Sequence, residues 1–262
     1  MTYQPIIPAT GIVGWNFLER TLSAQTKVFQ ASPDLSRDTA YFKAKIGEVN
    51  TAEDLVSDRR LLRVALGAFG LQDDIDSKAF IRKVLEDGTL KTGALASRLT
   101  DSRYIDLART FGFDLATPST KLSDFGTKIT ELYRSQQFEI AVGEQDDDLR
   151  LALFAQRELE GFATGTQSED TKWFKIMGSP PLRKIFETAL GLPTSFSQLD
   201  LDQQLGVFKE KSERQLGLNS LSDLNDEHLR DKLTQRFLIR AQANNIQATS
   251  SGNIALTLLQ AG

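Results

Sequence analysis

The chain has 262 residues, 40% hydrophobic and 25% charged, with a net charge of -4 and no cysteine. It is too apolar for a disordered chain, and too mildly charged for a nucleic-acid binder, whose phosphate contacts need a basic face. The lack of cysteine excludes disulfides, thiolate nucleophiles and Cys-ligated metals, and no window approaches the about 18 apolar residues of a membrane span.

Length predicts one large domain or two small ones. The opening MTYQPIIPATGIVGW has neither a basic stretch nor a long apolar run, so it does not read as a secretion signal. A first helix is expected over 14–29, with Trp15, Leu18, Leu22 and Phe29 near one face. Ser32-Pro33-Asp34 looks like a cap with proline in the first turn of a helix ending near Gly47. Thr51 and Asp54 form a capping-box pattern opening a short helix. RRLLRVALGAFGL (59–71) is apolar on most sides, with Gly70 placed to close it. Asp76 or Ser77 caps the next helix, whose stripe is Phe80, Ile81, Val84 and Leu85 and whose end is Gly88.

A helix over 102–111 stops at Gly112. Thr117-Pro118 is expected to start a longer one with Leu122, Phe125, Ile129, Leu132 and Tyr133 inward, running through FEIAV to Gly143. Asp146, Asp147 and Asp148 open another, as the helix dipole favours. GFATGTQSED (161–170) reads as a linker. Beyond it lie DTKWFKIMG, then SPPLRKIFETALGL, then a helix with Leu201, Leu205 and Phe208 on one face. Asn225 caps a last helix, whose tail carries Ile254, Leu256, Leu258 and Leu259 as a candidate contact. The fold class is therefore all-α and multi-helix: an N-terminal half over 1–160, a linker over 161–169 and a C-terminal half over 170–262, packed separately or as a single domain.

The phrase DTAYFK (38–43) returns as DTKWFK (170–175). LRVALGAFGL and LRKIFETALGL follow in the same order, which suggests two similar helical halves from an internal duplication. The first copy carries roughly ten extra residues around 51–59, where an insertion costs little. In each phrase the aspartate is expected at a cap or in a first turn, and the aromatics are expected to pack in equivalent places.

No GxSxG, P-loop, GxGxxG or HExxH pattern occurs. Asp73, Asp74 and Asp76 lack the glycine and glutamate of a calcium loop and read as caps and local charge. The lone histidine, His228, reads as a surface residue. The Arg59, Arg60, Arg63 cluster reads as a solvated helix edge. Trp15, Tyr41, Phe42, Trp173 and Phe174 are candidate core or interface aromatics. At helical spacing such residues are more often core than a ligand cage. No catalytic, metal or cofactor-binding residue is assigned, and no cofactor is expected.

GWNFLERT (14–21), RDTAYF (37–42), TAEDLVSDRRLLRVALGAFGLQDDID (51–76), RLTDSRYIDLARTFGF (98–113) and WFKIMGSPPLRKIFETALGLP (173–193) together resemble an uncharacterised alphaproteobacterial family. Its members are encoded in or near flagellar gene clusters. The resemblance implies a non-enzymatic, flagellum-related protein acting through protein–protein contacts, as an assembly factor, chaperone-like binder or minor component. Its partners would be other proteins. It would reside in the cytoplasm or be exported by the flagellar type III route. The alternatives are a small-molecule or peptide binding module with a pocket between the helical halves, and a carboxylate-dependent hydrolase.

Overall fold

A computed structural model describes the backbone of residues 3–260 and the side chains of residues 3–246. The described residues form thirteen α-helices joined by short turns, with no strand. They divide into two compact units. One comprises Met1–Ile6 and Thr21–Val142, the other Ile7–Arg20 and Gly143–Gly262. Helix α1 (Gly11–Gln30) thus contributes residues to both. The division falls at 142/143, and the expected linker over 161–169 lies inside the second unit. There Gly161 to Thr164 complete a helix whose Ala163 is buried, leaving only a short connection to the next one.

The first unit holds α2 (Pro33–Lys45), α3 (Ala52–Ser57), α4 (Arg59–Ala68), α5 (Lys78–Asp87), α6 (Leu95–Arg98), α7 (Arg103–Phe111) and nearly all of α8 (Phe125–Gly143). Proline opens α2, where a missing N–H costs nothing. The Thr51–Asp54 capping box is formed in both directions, at 3.1 and 3.0 Å. Helix α4 is the centre of this unit: Leu61, Leu62, Val64, Ala65, Leu66 and Ala68 are all buried. Helices α2 and α3 pack on it, and α5 packs on α3 and α7. FEIAV is helical, within α8. That helix starts at Phe125, because Pro118 leads into a tight turn over Ser119–Lys121. Leu122 therefore points to solvent, against the expectation of a buried stripe beginning there.

The second unit holds α9 (Asp147–Thr164), α10 (Glu169–Gly178), α11 (Pro180–Leu190), α12 (Leu201–Leu216) and α13 (Glu227–Gln260). Helix α12 buries Gln204, Phe208, Ser212 and Leu216, so its inner stripe runs at four-residue steps and leaves Leu201 exposed. Trp173, Phe186, Phe196 and Phe208 form one aromatic cluster with centroids 5.1 to 6.5 Å apart, in the edge-to-face and offset geometries that ring quadrupoles favour. Helix α13 buries Leu233, Thr234, Phe237, Leu238 and Ala241; residues 242–246 that follow are all exposed. Among the described residues no helix is long and apolar enough to cross a membrane.

The repeated phrases face their cores differently. In α2 the buried positions are Thr39 and Phe42, while Tyr41 is half-buried and Ala40 exposed. In α10 the matching letters reverse: Lys172 and Trp173 are buried, Thr171 and Phe174 exposed. One helical position is about 100° of rotation, so the same letters lie on different sides of their helices. Asp170 sits in the first turn of α10. Asp38 does not sit in a first turn; it lies inside α2 and faces Arg60 and Arg63 at 3.4 and 3.5 Å. The ends of α4 and α11 do match. Leu71 N donates to Leu66 O, and Leu192 N to Glu187 O, both at 2.9 Å, the closure of a Schellman turn.

Candidate functional site

The five singled-out aromatics do not converge. Trp15 (3% exposed), Phe42 (0%) and Trp173 (3%) are core residues, and the two tryptophans lie in a different unit from Tyr41 and Phe42. Tyr41 is half-buried: its hydroxyl donates to Asp58 Oδ2 at 2.6 Å, and Arg60 lies 4.0 Å from its ring centroid. Phe174, 40% exposed, is the most exposed of the five. Leu256, Leu258 and Leu259 lie outside the residues whose side chains are described.

The arginines of the DRRLLR stretch are paired with acids of their own unit, Arg59 with Asp76 at 2.6 Å and Arg60 and Arg63 with Asp38. In the QDDID stretch Asp74 accepts the Tyr104 hydroxyl at 2.6 Å. Burial and that hydrogen bond push the Tyr104 phenol up to about 12. These acids act as hydrogen-bond acceptors and ion-pair partners. His228 is exposed, and its backbone N–H donates to Asp226, which caps α13 in place of the expected Asn225.

The candidate site is a cleft of about 700 Å³ lying wholly in the second unit. Its walls come from four places in the chain: Thr10 and Gly11 at the start of α1, Gln145 to Asp148 at the start of α9, Lys184 of α11, and Leu238, Gln242, Asn245 and Ile246 of α13. The backbone dictates the acid positions. Asp146 Oδ1 accepts from Asp148 N and Leu149 N at 3.0 and 3.1 Å, capping α9. Asp147 pairs with Arg150 at 2.6 Å and Lys184 at 3.3 Å. Burial works against its ionisation, but the two cations prevail and hold its carboxyl below the usual range. Asp148 is shifted the other way, by burial first and then by the negative charge of Asp146 and Asp147. Its carboxylate accepts from Asn245 Nδ2 at 3.4 Å, which ties α9 to α13.

The charged side chains of the cleft are thus largely engaged with one another. Its α13 wall is amide and apolar: Leu238 is buried at the floor, and Ile246 stands 61% exposed at the rim. Sequence reasoning placed the three aspartates correctly at a helix start and found no cleft, because its other walls come from residues far away in the chain.

The family described as "Protein of unknown function (DUF1217)" matches residues 68–229. Among solved structures, the chain is similar to an X-ray crystal structure of a protein from Agrobacterium tumefaciens, an alphaproteobacterium and a structural genomics target. The TM-score is 0.73 and the identity 26%, over 93% of this chain and 100% of that one. No curated protein matches the chain.

Proposed function

We propose, for a chain that belongs to the DUF1217 family of proteins of unknown function, a non-enzymatic role in which it docks another protein during assembly or operation of the flagellum. The observation that carries docking is the second-unit cleft. Asp147 is paired with Arg150 and Lys184, Asp146 is spent on capping and Asp148 accepts from Asn245, while Ile246 at its rim is left to solvent. A surface of this kind gains more from covering apolar area than from proton transfer. The flagellar setting rests on the resemblance to proteins encoded in flagellar gene clusters. Residence in the cytoplasm and export by the flagellar type III route are both compatible with it.

The size of the cleft favours a second reading, a binding module for a small molecule or peptide, since about 700 Å³ lies within the range of ligand sites. The test is a clean gene deletion scored for swimming and filament assembly, complemented by the wild type and by Ile246→Asp. Loss of swimming restored by the wild type alone is the expected result. A deletion strain that swims normally with intact filaments overturns the proposal.

A further inference from the structure

We propose that Gln25 of α1 is the centre of a peptide-binding site, which the chain fills with its own residues 3–6 and which a proline-containing segment of a partner protein enters in their place. Gln25 is only 5% exposed. Its side-chain amide serves both main-chain groups of one residue: Ile6 N donates to Gln25 Oε1 at 2.7 Å, and Gln25 Nε2 donates to Ile6 O at 3.1 Å. One strand residue grips another in this paired way in an antiparallel ladder. Residues 3–8 belong to no helix or strand, so the amide stands where a sheet partner would. Nε2 also donates to Thr21 Oγ1 at 2.8 Å, one turn earlier on the same helix. That bond fixes which way the amide faces, so the site is organised before a segment enters it. Residues 3–6 and 21–25 all belong to the first unit.

The segment seated in the site shows what the site accepts. Pro5 is buried, whereas the Ile6 that follows it is 57% exposed. A buried proline brings no N–H that needs a partner, and its fixed φ leaves less conformational entropy to lose on docking. Ile6 offers Gln25 only its main chain, so its side chain is not read. The accepted pattern is therefore proline followed by any residue that keeps its N–H, which excludes a second proline. A partner segment with this pattern makes the same contacts as residues 3–6 and competes with them. The chain's own segment holds the advantage of high effective concentration, which makes it an autoinhibitory contact. This inference stands independently of the second-unit cleft and of the flagellar reading.

The test is the fluorescence anisotropy of a labelled peptide of residues 3–8 titrated with the full-length chain. Wild type, Ile6→Pro and the Ile6→Pro/Gln25→Leu double variant would be compared, with circular dichroism to check folding. Ile6→Pro removes the N–H that holds the chain's own segment. The peptide should bind that variant about tenfold tighter than wild type, the contribution of one hydrogen bond, and should not bind the double variant. On the Ile6→Pro chain, an Ile6→Ser peptide should match the original, and an Ile6→Pro peptide should bind about tenfold more weakly. Absent binding to the Ile6→Pro chain, or binding no tighter than to wild type, overturns the proposal. Binding that survives Gln25→Leu overturns it too, as does an Ile6→Pro peptide that binds as well as the original. If the double variant does not fold, the peptide series decides the question by itself.

Discussion

Lys172 Nζ donates to Ser222 Oγ at 2.8 Å, joining α10 to a turn fifty positions further along the chain. The lysine side chain is only 3% exposed, and its other partner is Glu169 at 3.4 Å. Glu169 in turn accepts from Leu221 N at 2.8 Å. One ammonium and one carboxylate thus hold the Leu221–Asn225 turn against α10. Removing the cation strands a carboxylate that is itself half-buried, whereas an apolar side chain of similar length fills the space. Lys172→Ala should lower unfolding stability by about 3 kcal/mol, and Lys172→Met, which also strands Glu169 but keeps the packing of the stem, should lower it by less. Urea midpoints would show it; equal losses in the two variants would mean that the ammonium's pairing, and not the space its stem fills, carries the contribution.

Tyr41 and Asp58 form a second cross-helix link. Asp58 Oδ1 caps α4 through Arg60 N at 2.8 Å and Leu61 N at 3.1 Å, while its other oxygen takes the Tyr41 hydroxyl. Tyr41→Phe should cost about 1 kcal/mol, and Asp58→Ala about 2 kcal/mol, since it also removes the cap. The double variant should cost less than the sum, by about the value of the shared hydrogen bond. Strict additivity would show that the bond contributes nothing.

Asp87 gives the first unit an acid-labile joint. Its carboxylate accepts from Lys83 Nζ at 2.8 Å, Lys91 Nζ at 3.1 Å and Leu95 N at 3.4 Å. The two lysines lead in drawing its pKa down from 3.8 to about 2. A carboxyl depressed on folding adds stability above its unfolded value, and that contribution fades as pH falls through the folded one. Asp87→Asn should therefore lower the thermal midpoint at neutral pH and converge with wild type toward pH 2. Asp148, raised by burial and its acidic neighbours, has the opposite sign. Folding resists its ionisation, so Asp148→Asn should raise the midpoint at neutral pH and match wild type in acid. A wild-type-like pH profile in either variant would contradict the assignment.

Gly88 closes α5 at φ 61° and ψ -143°, a region that side chains avoid. A Cβ there would also collide with the Asp114 carboxyl. That carboxyl is pinned by Thr89 N at 3.0 Å and Leu90 N at 3.3 Å, so it has little room to yield. Gly88→Ala should destabilise by about 3 kcal/mol. Adding Asp114→Ala should recover part of that loss in the same denaturant titration.

Where local chemistry decides, the sequence was readable. The Thr51–Asp54 box, proline opening α2, the aspartates at the head of α9 and the apolar inner faces of α4 are each set by neighbours a few residues away. Lys172 was illegible, because a lysine reads as surface until its partner, Ser222, is known. Spacing alone places Leu122 and Leu201 on inner faces, but α8 begins only at Phe125, and Leu201 is the first residue of α12, beyond the end of its buried stripe. The boundary between units was hidden for a related reason. Only three residues, Glu144 to Asp146, separate α8 from α9, whereas the glycine-rich 161–170 stretch lies within one unit. DTAYFK and DTKWFK share letters but not facing, because facing is set by what each helix packs against.

The division of the chain also sorts its chromophores. Both tryptophans, Trp15 and Trp173, belong to the second unit; all four tyrosines, Tyr3, Tyr41, Tyr104 and Tyr133, belong to the first. Trp173 is buried against Phe186 and Phe208, so its emission should shift to the red as that core opens. Excitation selective for indole then follows the melting of one unit, and phenol absorbance follows the other, with no label added. Coincident curves would mean that the two units unfold as a single cooperative block; separated curves would give each its own stability.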